Sequence, residues 1–286
     1  MTVRRVAVLS DTHGHLTALR AVLADADASG VTEVVVAGDI VNFGPSSAAV
    51  VDLLRECGAR LVRGNHEVEL VAPYGTPGMP EWLRSSVRYT VARFTMEQLG
   101  AERRAFLAAL PDRLELDAAT LVTHGSPRHV RDGVTESRTD EELRAFWNGH
   151  HALTAFVGHT HRPVVRVVPP AAEAAEGEAV RRFVNVGSAG FNLDGDPRVS
   201  YALATPGPSG NPGDWQVEIR RVAYDVEAGV REFDNGYRDA CGEYAEVFSR
   251  QLRTGRHYFG PWVRASGGLP EDEVLPSLRR FLAENP

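Results

Sequence analysis

The stretch Val3-Arg-Arg-Val-Ala-Val-Leu-Ser-Asp11-Thr-His13 carries an apolar run that ends in a carboxylate and an imidazole two residues apart. Its β-branched content predicts a buried strand over residues 3–10, and the polar Asp-Thr-His-Gly that follows predicts a loop. Leu16, Leu19, Ala21, Val22 and Leu23 then recur at helical spacing, and Gly30 lies where a helix end favours glycine. The same pattern returns twice. Glu33-Val-Val-Val-Ala37 reads as a second buried strand, ending in Gly38-Asp39. Ser46 to Cys57 reads as a helix, with Pro45 near its start and Gly58 past its end. Arg60 to Arg63 is a short third strand, ending in Gly64-Asn65-His66. Strands alternating with helices predict an α/β fold with parallel pairing, in which ligands collect beyond the carboxyl ends of the strands. All three polar loops fall at that edge.

Outward from this core the character changes. Residues 71–110 begin with a loop rich in Pro and Gly, then read as helices over Glu81 to Leu99 and Ala101 to Leu110. This helical insertion lies between two motif loops, a place from which it could cover the site. Leu114 to Thr123 gives one or two strands, ending in His124-Gly125. Thr139-Asp-Glu-Glu142 has the spacing of a capping box. Thr154 to Val157 is a strand ending in Gly158-His159-Thr-His161. Val164 to Val168, Arg182 to Val186, Ser200 to Ala204 and Gln216 to Val222 read as further strands, with Pro169 to Ala179 as a solvated hairpin loop. Beyond Tyr224 the pattern is helical. The expected organisation is a domain over 1–223 with an insertion at about 71–110. Residues 224–286 are a helical extension, packed on the domain or at a homodimer contact.

The chain of 286 residues is 43% hydrophobic, ample for a well-buried core. A net charge of −7 disfavours polymeric nucleic acid and membrane surfaces as partners. No segment approaches the ~18 consecutive apolar residues of a membrane span. The apolar run Val6 to Leu9 is too short for a signal-peptide core, so the cytoplasm is the expected location. Cys57 and Cys241 make neither a disulfide framework nor a zinc knuckle. All 31 basic positions are arginine, which reads as coding bias. There is no internal repeat.

Asp11-Thr-His13, Gly38-Asp39, Gly64-Asn65-His66, Thr123-His124-Gly125 and Gly158-His159-Thr-His161 each follow a predicted strand and offer oxygen or imidazole donors. Singly, most have an ordinary reading as turns; His-x-His is the strongest alone. Jointly they predict one metal centre. Mixed Asp, Asn and His donors suit Mn, Fe, Ni or Zn better than Mg or Ca alone. A carboxylate can bridge two metals, and Asp39 at the central strand end is the natural bridge. Two cations ~3.5–4 Å apart hold a hydroxide ionised near neutral pH and clamp phosphoryl oxygens during in-line displacement.

With these segments in view, the chain resembles the calcineurin-like metallophosphoesterase superfamily, and within it the bacterial phosphodiesterase and diadenosine-tetraphosphatase-like branch. Gly38-Asp-Ile-Val-Asn-Phe-Gly-Pro45, His124-Gly-Ser-Pro-Arg128 and Asn185-Val-Gly-Ser188 carry the likeness, which covers roughly residues 4 to 205. The resemblance implies a four-layer α/β/β/α sandwich of two mixed β-sheets. It implies one metal on Asp11, His13, Asp39 and His161, and another on Asp39, Asn65, His124 and His159. His66 is implied to protonate the leaving oxygen or donate to phosphate, a task suited to an imidazole with a free pKa of ~6.5. Glu67 stands where Asp is frequent. Asn42-Phe43-Gly44 replaces the Asp-Arg-Gly of Ser/Thr protein phosphatases, removing a phosphate clamp. Asn185-Val186-Gly187 stands where Asn-Pro-Gly is common.

Substrate-binding candidates are His15, Asn42 and Arg128, with Arg162 beside them. Trp82, Tyr89 and Phe94 are weighed as a base-stacking surface against ordinary packing, which is favoured. His129, His150, His151 and His257 read as structural or surface residues, and the tail aromatics Phe248, Tyr258, Phe259, Trp262 and Phe281 as packing or a dimer contact. The function expected is metal-dependent hydrolysis of a small phosphate ester or nucleotide. A non-catalytic scaffold or ligand-binding protein on the same fold is the alternative, disfavoured by the complete ligand set. A Ser/Thr protein phosphatase is disfavoured by the missing Arg.

Overall fold

A computed structural model describes residues 3–172 and 179–285. In the first sheet β1 (Val6–Leu9), β2 (Glu33–Ala37) and β3 (Arg60–Val62) run parallel. The second holds β4 (Arg113–Asp117), β5 (Thr120–Thr123), β6 (Thr154–Val157), β7 (Val164–Val168) and β8 (Arg181–Asn185) in the order β4-β5-β6-β8-β7. β9 (Val199–Pro206) and β10 (Trp215–Val222) return antiparallel to complete the first sheet as β10-β9-β1-β2-β3. Both sheets are mixed, as expected.

Strand alternation decides the layering. Val6, Val8, Val35 and Ala37 face the other sheet and meet Val122, Phe156 and Val184. Ala7, Leu9 and Val36 face outward under Leu19 and Val22 of α1 (Leu16–Ala28) and Val50 and Leu54 of α2 (Ser47–Glu56). On the far side Leu121, Ala155 and Phe183 pack on Leu143 and Phe146 of α5 (Asp140–Phe146), which starts with the expected Thr139–Glu142 capping box. Each such fully buried side chain stabilises the fold by about 1.5–3 kcal/mol. The result is an α/β/β/α sandwich.

The insertion differs from expectation. Glu81 to Leu99 is not one helix: α3 (Glu81–Ser85) stops at Ser86 in extended conformation. Ser86 Oγ accepts the Arg88 amide (3.2 Å) as the cap of the next turn, and Glu271 accepts hydrogen bonds from Ser86 Oγ and Val87 N, 2.8 Å each. α4 (Thr90–Ala108) follows, broken inside by Gly100 at φ 68°. β7 and β8 form the expected hairpin. The expected loop from Pro169 to Ala179 lies partly outside the described residues. Cys57 and Cys241 are free thiols.

Past β10 come α6 (Val226–Glu232), α7 (Tyr237–Cys241), α8 (Glu243–Thr254), α9 (Phe259–Ala265) and α10 (Glu271–Glu284). Their apolar faces form one cluster of Phe233, Tyr244, Phe248, Trp262, Val274 and Leu278, closed against Phe191 and Val91 of the body. The tail aromatics therefore pack within the chain. No helix among the described residues is long and apolar enough to cross a membrane.

Candidate metal centre

Loops leaving the carboxyl ends of β1, β2, β3, β5 and β6 converge. Backbone hydrogen bonds tie them together, with Asp11 N donating to Gly38 O (3.0 Å), His13 N to Asp39 O (3.1 Å) and Gly158 N to His124 O (2.8 Å). Asp11, His13, Asp39, His159 and His161 all adopt positive φ, between 46° and 71°. Such backbone costs about 1–3 kcal/mol per residue and persists only where surrounding contacts enforce it. Gly64 and Gly158 are needed for a different reason: a Cβ on either would run into the Asp39 or Asp11 carboxylate.

The two carboxylates are used alike. Asp39 Oδ1 accepts the His66 amide (2.9 Å), and Asp11 Oδ2 accepts the His159 amide (2.9 Å). Their other oxygens face the centre. Asp39 Oδ2 lies 3.3 Å from His124 Nε2 and 3.8 Å from both His13 Nε2 and His66 Nε2. Asp11 Oδ1 lies 3.3 Å from His161 Nε2 and 3.6 Å from His13 Nε2, is fully buried and makes no hydrogen bond. Asn65 Oδ1 sits 3.1 Å from His124 Nε2.

The imidazoles are oriented from behind. Nδ1 faces a backbone carbonyl in His124 (Ala37, 2.8 Å), His161 (Phe191, 2.5 Å) and His13 (Val41, 3.4 Å). A proton on each Nδ1 leaves the Nε2 lone pair aimed inward, the tautomer that ligates metal. His13 Nε2 and His161 Nε2 are 3.0 Å apart. Two lone pairs so close, beside an unpaired carboxylate oxygen, require positive charge between them. Asp11, His13 and His161 group tightly enough to hold an ion, as do Asp39, His124 and His159, and His13, Asp39 and His66.

In the ion-free protein, protons supply that charge. Burial alone would lower His124, but the Asp39 and Asp11 carboxylates override it and push the imidazole up to about 10. Burial would likewise lower His161, and Asp11 raises it instead. Burial would raise Asp39, yet His124 and His66 hold it well below the carboxylate range. His66 behaves oppositely: burial pushes it down to about 3, with Asp39 opposing and His13 adding. His66 Nδ1 faces the Asn42 amide at 3.2 Å, so neutral His66 carries its proton on Nε2.

Glu67, the departure noted above, has a clear task. It lies in a π-helical turn (Glu67–Val71), and its carboxylate accepts the amides of Gly64 (2.7 Å), Asp39 (3.0 Å), Ile40 (2.9 Å) and Val41 (3.3 Å). It locks the Asp39 and Asn65 loops together. Asn185 does the same elsewhere, donating to Gly158 O (2.9 Å) and Val134 O (3.2 Å) and accepting from Gly187 N (3.0 Å), so that loop is rigid without proline.

The centre floors a cleft of about 460 Å³. Of the predicted substrate contacts, none lines it. His15 is wholly buried, with Nδ1 on Gly190 O (2.9 Å) and its ring between Phe191 and Tyr224. Asn42 is buried behind His66. Arg128 lies over Phe146, pairs with Asp132 (2.7 Å) and lines a separate cavity. Arg162 Nε is held by Leu193 O (3.0 Å). No residue of the insertion lines the cleft either: Trp82 packs on Tyr89 and Phe94 on Tyr237. The lining around the metal floor instead includes Arg131 and Arg138, and Gln251, His257 and Phe259 of the C-terminal extension. Arg131 lies three residues past Arg128 in the same motif loop. His257 had no sequence signal beyond its aromatic neighbours.

Donor chemistry of this kind, on this sandwich, defines a metal-dependent phosphoester hydrolase. Residues 5–207 match the calcineurin-like phosphoesterase superfamily domain, and the chain belongs to that superfamily. It is similar to an uncharacterized protein of Methanocaldococcus jannaschii, 29% identical over 237 residues that cover 79% of this chain and 90% of that one. The crystal structure of a metallophosphoesterase from Sphaerobacter thermophilus superposes with TM-score 0.69 at 27% identity, covering 89% of this chain and all 100% of that one. A hypothetical protein from Pyrococcus horikoshii shares the fold with TM-score 0.66 at 20% identity, over 85% of this chain and 97% of its own.

Proposed function

We propose that the chain is a dinuclear phosphoesterase acting as a phosphodiesterase on a small phosphate ester or nucleotide. The observation that carries this reading is the shared carboxylate: Asp39 Oδ2 stands 3.3 Å from His124 Nε2 and 3.8 Å from His13 Nε2, between two donor groups. Asp11, His13, Asp39 and His161 would hold one ion, and Asp39, Asn65, His124 and His159 the other. Bound there, two divalent or transition-metal ions (Mn, Fe, Ni or Zn) supply Lewis acidity and a hydroxide near neutral pH.

The chain's own residues do the rest. The positive-φ loops fix the donors before substrate arrives, so no reorganisation is needed during reaction. His66 presents Nε2–H beside Asp39 and donates to the ester phosphate; Asn42 holds it in that tautomer. The phosphate's negative charge favours protonated His66, allowing it to pass its proton to the leaving oxygen. The cleft of about 460 Å³ has room for a mononucleotide-sized ester, and the net charge of −7 disfavours a polymeric nucleic acid. Residues 224–286 act as an extension packed on the catalytic domain.

The test is hydrolysis of bis-p-nitrophenyl phosphate with added Mn²⁺, beside elemental analysis of the purified protein. Turnover that needs metal, with about two ions per chain, is expected. Folded protein that binds metal and turns over neither mono- nor diesters would overturn the reading.

A further inference from the structure

The walls of the cleft are unlike, and this points to the substrate. Arg131 and Arg138, both from the chain between His124 and α5, line the cleft. Arg131 is held bidentately by Glu69 through Nε and Nη2. Arg138 is fixed by Glu142 through Nη1 (2.7 Å) and by Gly133 O through Nε (3.2 Å), with its guanidinium 5.6 Å from the Phe146 ring. Among the described residues, Arg131 Nη1 and Arg138 Nη2 donate to nothing. Each guanidinium is thus pre-oriented with one edge left free, and such planar donors suit phosphate oxygens. Asp39 is the one carboxylate among the described residues lining this cleft, and it belongs to the metal floor. Apolar Phe43, Leu193 and Phe259 line the same cleft, with Gln251 and His257.

We infer that the enzyme selects phosphate esters carrying a second anionic group, held by Arg131 and Arg138 beside the metal floor, with the uncharged part of the ester against Phe43 and Phe259. This rests on the phosphoesterase reading and narrows it. An ester whose only charge is the scissile phosphate leaves both guanidinium edges without a partner. One that carries a further phosphate fills them.

The test compares thymidine 5′-monophosphate with thymidine 3′,5′-bisphosphate by calorimetry on Mn²⁺-loaded protein. About tenfold tighter binding of the bisphosphate is expected, the size of a charge-assisted hydrogen bond. The preference should shrink as salt is raised. In a double variant, Arg131→Gln with Arg138→Gln, the ratio should fall to about one, while Arg128→Gln, which faces another cavity, should keep it. Circular dichroism and metal content check that each variant is folded and loaded. Equal affinities in the native protein, or a preference that survives the double variant, would overturn the inference. Hydrolysis of thymidine 5′-p-nitrophenyl phosphate in the same samples reports on the esterase reading separately. A protein that discriminates the two ligands but hydrolyses nothing fails that reading alone.

Discussion

The cleft has two sides held by opposite means. The metal floor is made of loops a few residues long, forced into left-handed backbone and braced by hydrogen bonds to Glu67 and to each other. The wall from the C-terminal extension is made of ordinary helices held by apolar packing. Phe43, from the Asp39 loop and itself at φ 72°, joins the two: its ring stacks on Phe248 at 5.0 Å and meets Phe259 at 5.3 Å, and it abuts His13 and His66 at 4.8 and 4.7 Å. The difference teaches where each property resides. Strained polar loops hold charge at fixed positions and tolerate little change; a packed helical wall can vary and still close the cleft. Changes to the floor should therefore remove metal and chemistry, and changes to the wall should alter substrate affinity alone.

The strongest attempt to break this contrast is Asp39→Asn. Changing a group behind a ligand costs about 10–100-fold in metal affinity, so losing the shared carboxylate should cost more than about 100-fold. Elemental analysis and metal titration measure it. Retention of both ions would remove Asp39 from its bridging place. His66→Ala comes next. It should lower turnover by about 10²–10⁴-fold with both ions kept, because His66 acts on substrate rather than on metal. Loss of an ion in this variant would make His66 a ligand, which its 3.8 Å approach to Asp39 also permits.

The floor should also reveal itself through pH. In the metal-free protein the His124 pKa is raised from 6.5 to about 10, chiefly against burial and by Asp39 and Asp11. A raised pKa means stability fully present below pH 6.5 and lost as pH climbs toward 10. Metal must displace that proton, so affinity should rise by up to about tenfold per pH unit across the same window. Thermal melts with and without Mn²⁺ test both parts: the metal-free midpoint should fall with rising pH, and the loaded midpoint should not. Two parallel curves would mean that no proton stands in for the ion.

Much of the floor was legible because its signal is local. Asp11, His13, Asp39, Asn65, His124, His159 and His161 each sit one to four residues past a strand that hydrophobic patterning alone identifies, and parallel pairing sends those ends to one edge. The layering was legible only through the family resemblance, because Val6-Ala7-Val8-Leu9 and Val34-Val35-Val36-Ala37 are apolar on both faces and the packing partners alone separate Val6, Val8, Val35 and Ala37 from Ala7, Leu9 and Val36. What lay beyond sequence reasoning depends on distant partners. The stop at Ser86 combines a local cap on Arg88 N with hydrogen bonds to distant Glu271, and only the second lies outside the sequence. His15 sits next to the first motif but is sealed by Phe191 and Tyr224, so its nearness in sequence misled. Arg128 and Arg131 stand three residues apart in one loop, and only folding decides which of them lines the cleft above the candidate metal site.

The smallest expected effect belongs to the wall, and it sharpens the contrast most. His257 Nε2 accepts the Gly260 amide at 3.0 Å, which leaves its proton on Nδ1 as a donor at the cleft. His257 is exposed and carries no share of the apolar core, so His257→Ala, which loses only the bond from Gly260 in the first turn of α9, should lower the melting midpoint by no more than about 2–4 °C and leave metal content unchanged. The lost hydrogen bond should raise KM by about two- to tenfold, with little change in kcat, because the donor reaches the ester's remote part rather than the reacting phosphate. His257→Gln, which keeps a donor, should recover most of the loss. A fall in kcat with unchanged KM would instead tie the extension to the chemistry of the floor, and the division between the two sides would not hold.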